Sequence, residues 1–272
     1  MMTGARIDTT VGVTATDSLD WRHVVEGFSE TAGNYAVSMA PSLRTMAVRV
    51  VQRAQLQVGQ RILDAGTGTG VGAAASLTSG RKVIGVDAAP GMLAIARHEV
   101  RGARFVEADF SNLPFSTAYF HVVISVHALH FAADPVATLA EWRRVTVPDG
   151  RLSLSVPGPR SALSFKIYNP IYRRFGMVRK VEVATRAKLI AWARAAGWTH
   201  VGIEADPTTV IRLAGPDSFE RWMRTGSRSI ANRSLSPERF AELEAEMMAA
   251  TPIGPDGQFH IPFGTLYLTA RT

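Results

Sequence analysis

Ile62-Leu63-Asp64-Ala65-Gly66-Thr67-Gly68-Thr69-Gly70 decides the fold. A short buried strand, Arg61–Ala65, runs into a turn with glycine at every second position. Glycine there permits positive φ and lets a ligand come close to bare backbone. The spacing departs from the dinucleotide fingerprint, which needs a third glycine three residues after the second; that position is Val71. Next, Val83-Ile84-Gly85-Val86-Asp87 ends a second strand with a carboxylate, 17 residues after Gly70. A carboxylate at that point is placed to accept from the vicinal hydroxyls of a ribose. A third acid, Asp109, ends the following strand in Val106-Glu107-Ala108-Asp109-Phe110, where it can meet an exocyclic amine. Taken singly, each acid is as well explained by turn or cap duty. Three acids in register with three glycines are not.

Working outward, Met39, Leu43, Met46, Val50 and Val51 recur at helical intervals and predict a helix over 41–55. Residues 19–34 show looser helical spacing. Helices are expected at 71–77, Pro90–Glu99 and 136–145, and strands at 82–86, 103–107, 121–126 and 151–156. This alternation implies a parallel sheet with helices on both faces. It breaks at 157–183, an irregular or helical insertion rich in prolines, aromatics and basic residues. Beyond it, a helix is expected over 184–196, a strand over 200–213, helices over 216–225 and Pro237–Ala250, and a closing strand over 263–270. Ser236 is the expected N-cap of the last helix. Phe259 and His260 fall in an expected loop.

The chain has 272 residues, 46% of them hydrophobic and 19% charged, which describes a globular protein of one large domain or one with an inserted cap. It has no cysteine. That removes disulfides, thiolate nucleophiles, iron–sulfur clusters and cysteine-type zinc sites. The first twenty residues are polar and lack the apolar core of a signal peptide, so a frayed N-terminus is expected over 1–18. No run approaches the ~18 apolar residues that span a bilayer, and a cytoplasmic location is expected. The net charge is +7, with 26 Arg and 4 Lys. Residues 151–233 carry 15 Lys+Arg against 5 Asp+Glu, so the basicity belongs to the insertion and the segment after it. Arginine suits carboxylate or phosphate partners, although a compositional habit of the genome is the simpler explanation of the bias.

Four blocks then carry a resemblance: Ile62 to Gly70, Val83 to Met92, Phe105 to Phe115, and His121 to Gly150 with Ala128-Leu129-His130-Phe131, Asp134-Pro135 and Pro148-Asp149-Gly150. They resemble the class I S-adenosylmethionine (SAM) dependent methyltransferases, of the small-molecule group similar to the ubiquinone and menaquinone methyltransferases. Asp149 departs from the two glycines usual after that proline. The resemblance is clear over 20–156 and weaker from 184 onward. It implies an α/β, Rossmann-like fold: a seven-stranded, mostly parallel sheet with helices on both faces. One domain over 19–272 would comprise a helical cap (19–58), a SAM-binding half (59–156), a lid after the fifth strand (157–183) and a C-terminal half with a helical insertion (184–272).

The same resemblance implies roles. Asp64 and the backbone from Gly66 through Thr67 and Gly68 to Gly70 would hold the methionine part of SAM, with Tyr35 reaching its carboxylate. Asp87 would take the ribose hydroxyls. Met92 and Phe110 would pack on adenine, and Asp109 would bond its amine. Ser125 would lie near the sulfonium, and Ala65, Ala88, Ala108 and Val126 would complete the wall. No metal is implied.

Methyl transfer from a sulfonium needs alignment above all. An oxygen or carbon acceptor also needs a base. His127 and His130 follow the fourth strand at the ligand edge of the sheet; His127, nearer the strand, is the preferred base, and a crevice-wall role is the simpler alternative for both. Phe165, Tyr168, Tyr172 and Arg173 in the insertion, with Trp21 and His23 in the cap, are the candidate acceptor residues, or else merely pack the lid. The acceptor is read as a small molecule; the basic segment reads first as a solvated surface and, as the functional alternative, as a site for an acidic acceptor or an acidic carrier. A nucleic-acid substrate is disfavoured: no Asn/Asp-Pro-Pro-aromatic motif follows the fourth strand, and no cysteine is available for pyrimidine C5 chemistry. SAM binding without methyl transfer is the third reading. Oligomeric state, monomer or homodimer, is left open by the sequence.

Overall fold

A computed structural model describes residues 21–77, 81–159, 161–177, 184–225 and 235–272, without the side chains of residues 21, 161, 162 and 165. The expected frayed segment and residues 178–183 of the expected lid lie outside the described residues. Helices α1 (Trp21–Glu30), α2 (Ala32–Ser38) and α3 (Ala40–Ala54) come first. The alternating region follows: β1 (Arg61–Ala65), α4 (Val71–Ser76), β2 (Lys82–Asp87), α5 (Pro90–Glu99), β3 (Arg104–Glu107), β4 (Phe120–Val126), a 3-10 turn (Leu129–Phe131), α6 (Pro135–Arg144) and β5 (Thr146–Pro157). The C-terminal part holds α7 (Ser161–Arg174), α8 (Arg186–Ala195), β6 (Thr199–Asp206), β7 (Val210–Leu213), α9 (Pro216–Met223), α10 (Pro237–Ala250), β8 (Phe259–Pro262) and β9 (Thr265–Arg271).

Seven strands form one sheet in the order β3-β2-β1-β4-β5-β9-β6. The first five run parallel, and β9 is antiparallel to both β5 and β6. Both faces are covered, so strand residues alternate between two cores. Ile62, Val122 and Ile124 pack with Met46, Val50 and Ala73 of α3 and α4, whereas Leu63 and Val123 pack with Leu139, Trp142 and Leu189 of α6 and α8. The strand order reverses between β1 and β4, which is where open parallel sheets bind ligands. Register brings the chemistry to that edge: Ala65 pairs with Val86, and Asp87 with Glu107.

Three expectations are corrected. Residues 200–213 are two strands in two sheets, because the Asp206 carboxylate accepts the Thr208 amide and hydroxyl and turns the chain between them. Phe259 and His260 belong to β8, which pairs with β7 from about fifty residues earlier. The fifth strand starts at Thr146 and includes Pro148-Asp149-Gly150. Asp149 there has φ +59°, which Asp tolerates better than most residues, and a β-carbon on Gly150 would fall 2.3 Å from Thr146.

The insertion folds largely as α7, which packs on α10 and β8. Arg174 pairs with Glu246, and Arg239 lies over the Phe175 ring at 4.5 Å. Among the described residues no helix is long and apolar enough to cross a membrane.

Candidate active site

The turn after β1 is held in the left-handed region at each glycine: φ is +70° at Gly66, +54° at Gly68 and +87° at Gly70. A β-carbon on Gly66 would lie 2.3 Å from that of Ala128, so the turn abuts the segment following β4. At Gly68 a side chain would meet nothing within 4 Å; bare backbone faces open space there. Thr67 ties the turn to the second strand, its amide donating to the Val86 carbonyl at 2.8 Å.

The three acids have different settings. Asp64 is 1% exposed and lies beneath the turn, accepting the Thr67 hydroxyl at 2.6 Å. Gly72 is small because a β-carbon there would sit 2.6 Å from this carboxylate. Burial raises its pKa to about 6 against the lowering effect of Thr67 and the Ala73 amide. Asp87 accepts the Gly68 amide on Oδ2 at 2.8 Å and the Ala89 amide on Oδ1 at 2.9 Å, and burial holds its pKa above the usual carboxylate range. Asp109 is exposed and accepts the Ser111 amide at 2.7 Å.

A cavity of about 670 Å³ opens beside these acids. Its floor is Ala88, Pro90, Glu107, Ala108 and Asp109; its roof is α1, through Arg22, His23, Val25, Glu26, Ser29 and Glu30. The roof is seated on α5 at one glycine. The Gly91 amide donates to Ser29 Oγ at 2.9 Å, and a β-carbon on Gly91 would lie 2.1 Å from the Ser29 carbonyl oxygen. Met92 is buried with Ala32 and Ala89, with Val25, Phe28 and Tyr35 packed against them, so it supports the roof. Phe110 is half-buried, 3.6 Å from where a Gly66 β-carbon would be, and the Trp142 indole N–H donates to its carbonyl at 2.8 Å.

At the far side of the turn, Ser125 is buried and donates to the Ala65 carbonyl at 2.8 Å, next to buried Val126. His127 is 7% exposed at φ +53°, its amide donating to the Ser155 carbonyl at 3.0 Å. Burial, and secondarily His130, holds its pKa well below the imidazole value, so the ring is neutral at pH 7. His130 is 6.4 Å from it, ring to ring, and lies against Phe131 at 4.0 Å. Phe131 in turn meets Phe28 of α1 edge-on at 5.2 Å, and Phe28 meets Tyr35 at 5.9 Å. On the opposite side, Phe263 packs on His127 at 4.9 Å. A run of rings thus links the cap, the end of β4 and the start of β9. The proximity of Phe28, Phe131 and Phe263 comes from segments about a hundred residues apart, which no local spacing reports.

His23 lines the cavity roof, on the same cavity as Ala108 and Asp109. Tyr168 and Tyr172 are 4% and 3% exposed, packed in a core with Phe219, Trp222, Phe240 and Met247. The Tyr168 hydroxyl bonds Thr251 Oγ1 at 2.8 Å. At i and i+4 on α7, these two tyrosines present one face that packs toward α9 and α10. Arg173 is exposed in the last turn of α7. The side chains of Trp21 and Phe165 lie outside what is described.

A family model described as a methyltransferase domain matches residues 63–154. The malonyl-[acyl-carrier protein] O-methyltransferase of Halorhodospira halophila is 36% identical over 92% of this chain and 87% of its own length. The demethylmenaquinone methyltransferase of Thermus thermophilus is 38% identical over 54% of this chain and 72% of its own. The chain spans 55% of the malonyl-[acyl-carrier protein] O-methyltransferase of Serratia marcescens, at 31% identity over 52% of this chain. Among solved structures, the [4+2]-cyclase SpnF matches with a TM-score of 0.57 and 21% identity over 84% of this chain and 80% of that one. A phosphoethanolamine N-methyltransferase 2 of Haemonchus contortus, complexed with S-adenosylhomocysteine, matches with a TM-score of 0.54 and 20% identity over 84% and 52%. These two likenesses show the fold. The chain belongs to the class I SAM-dependent methyltransferases, of the small-molecule kind.

Proposed function

We propose that this protein transfers a methyl group from SAM to a small-molecule acceptor. The observation that carries the reading is the joined pair of Gly68 and Asp87: open, left-handed backbone fastened to a carboxylate at the sheet's switch point. The residues present fit the cofactor. Bare backbone at Gly68 has room for a close ligand, and each Asp87 oxygen keeps a lone pair for a ribose hydroxyl. Asp109 and Ala108 stand where the adenine amine would lie, under a roof of α1. SAM, when bound, supplies an already activated methyl group.

The chain's own residues then bind and align. Asp87 holds the ribose, and Phe110 lies against the glycine turn as one wall for the adenine. Asp64 acts from below: with Thr67 it fixes the turn's shape, and the methionine part is held by backbone and Tyr35. Ser125 fixes the Ala65 carbonyl at the turn. His127 and His130 line the acceptor side, closed by Phe28, Phe131 and Phe263. His23 belongs to the cofactor roof in this reading. Part of the basic segment is engaged in pairs, Arg174 with Glu246 and Arg224 with Glu220, so its charge alone does not specify the acceptor.

The test is release of S-adenosylhomocysteine, followed by mass spectrometry, when the full chain meets SAM and a panel of phenols, carboxylic acids and amines. Turnover with one class is expected. Saturable SAM binding with no release from any class would contradict transfer.

A further inference from the structure

We propose that the edge of the sheet opposite the glycine turn docks on an anionic lipid surface. Strands β1 to β4 begin at this edge and β9 ends there. Arg104, Lys82 and Arg61 open β3, β2 and β1, Arg151 pairs with Val122 near the start of β4, and Arg271 closes β9. Register sets these cations side by side: Arg61 is the partner of Lys82, and Arg151 of Arg271. Like charges on neighbouring strands repel. Burial, and after it Arg271, lowers the Arg151 pKa. Lys82, Arg104 and Arg271, with Arg101 in the turn before β3, are exposed and form no ion pair among the described residues. Of the nearby acids, Glu99 lies 3.0 Å from His98 and Glu141 2.7 Å from Arg144, which leaves Asp149 against the row.

Helix dipoles account for part of the charge here. Helices α3, α5, α6 and α8 end at this edge, each with arginine in its last turn, where a cation meets the partial negative charge of the helix end. The strand cations come in addition, and they stand beside exposed apolar residues. Val58, in the loop from α3 into β1, is 76% exposed, and Tyr119, just before β4, is 39% exposed. The same arginines hold both in place. Arg151 donates to the Ala54 carbonyl at 3.0 Å and to Gln60 Oε1 at 2.9 Å, bracing the loop that displays Val58. Arg61 donates to the Tyr119 carbonyl at 2.6 Å and lies over its ring at 5.1 Å.

This combination selects the partner. From β3 to β9 the row crosses five strand spacings, about 24 Å, which is the breadth of a surface contact. Guanidinium groups suit lipid phosphates. Val58 gains nothing from a phosphodiester backbone, but it gains from the boundary between headgroups and acyl chains, where tyrosine also sits well. A single-stranded nucleic acid would need open rings for its bases. The Tyr119 ring is already taken, stacked on Phe115 at 6.2 Å and covered by Arg61. Basic charge or one apolar tip alone holds a protein weakly to a bilayer; together they give reversible attachment. Such docking needs no spanning helix. It leaves the glycine turn, at the other end of β1, facing away from the lipid.

The test is co-sedimentation of the full chain with vesicles of equimolar phosphatidylglycerol and phosphatidylcholine, at about 0.1 M and about 0.5 M salt. Saturable binding is expected at the lower salt, about tenfold or more weaker at the higher salt and on phosphatidylcholine alone. Joint reversal by Lys82→Glu, Arg104→Glu and Arg271→Glu should weaken it about 100-fold, with no fall in melting temperature. Three reversals elsewhere, Lys166→Glu, Arg186→Glu and Arg221→Glu, should cost far less. Val58→Asp should loosen binding several-fold and remove most of what survives the higher salt, which reads the apolar contact separately. Absence of wild-type binding to the phosphatidylglycerol vesicles, equal loss from the two sets of reversals, or tighter retention on a single-stranded oligonucleotide than on the vesicles would overturn the proposal.

Discussion

Asp87 bonds the Gly68 amide with one carboxylate oxygen and the Ala89 amide with the other, at 2.8 and 2.9 Å. The acid that ends β2 thereby shapes the turn that follows β1. Asp87→Ala should release the turn and remove the ribose acceptor together. Affinity for S-adenosylhomocysteine should fall about 10- to 100-fold, the size of one or two charge-assisted hydrogen bonds. Calorimetric titration alongside thermal melting separates this from simple unfolding.

The roof depends on a missing side chain. Gly91→Ala would push a carbon into the Ser29 carbonyl, and overpacking of this kind typically costs about 1–3 kcal/mol. Hydrogen exchange in α1 should speed up, and cofactor affinity should weaken while the sheet stays protected. Unchanged exchange over Trp21–Glu30 would show that the roof does not rest on this contact.

Asp64 should make stability depend on pH. Its folded pKa of about 6 lies above the 3.8 of an unperturbed Asp, so the folded state binds the proton more tightly. The Asp64 contribution is then fully present below about pH 4, fades as pH rises through 6, and is lost above. The span is on the order of 2–3 kcal/mol, and Asp87 adds in the same direction. Asp64→Asn, which keeps an acceptor for Thr67, should flatten the slope. Chemical denaturation at pH 4, 5, 6 and 7 checks it.

Tyr168 gives the opposite kind of prediction. Tyr168→Phe removes the hydroxyl paired with Thr251 and should lower stability by about 1 kcal/mol. Affinity for S-adenosylhomocysteine and the acceptor Michaelis constant should not move. A change in acceptor selectivity would return this tyrosine to the acceptor site.

These contrasts show what the sequence could carry. The glycine turn, the acids at 64, 87 and 109 and the helix opened by Pro90 were legible because each depends on residues a few positions apart. The sheet edge was legible because strand ends and turn residues alternate regularly. The pairing of β7 with β8 was not, since its partners lie about fifty residues apart and each strand is short. Aromatic residues on α7 were ambiguous because a core face and a ligand face have the same helical spacing. The contacts of Phe28 with Phe131 and of Phe263 with His127 depend on three-dimensional neighbours alone.

The most direct measurement of the central claim is calorimetric titration of the full chain with S-adenosylhomocysteine, repeated for Asp87→Ala and Asp109→Ala. The account predicts one saturable site in the wild type, weakened about 10-fold or more by either substitution with the fold retained. Absence of binding to the wild-type chain, or affinity that neither substitution changes, would contradict it.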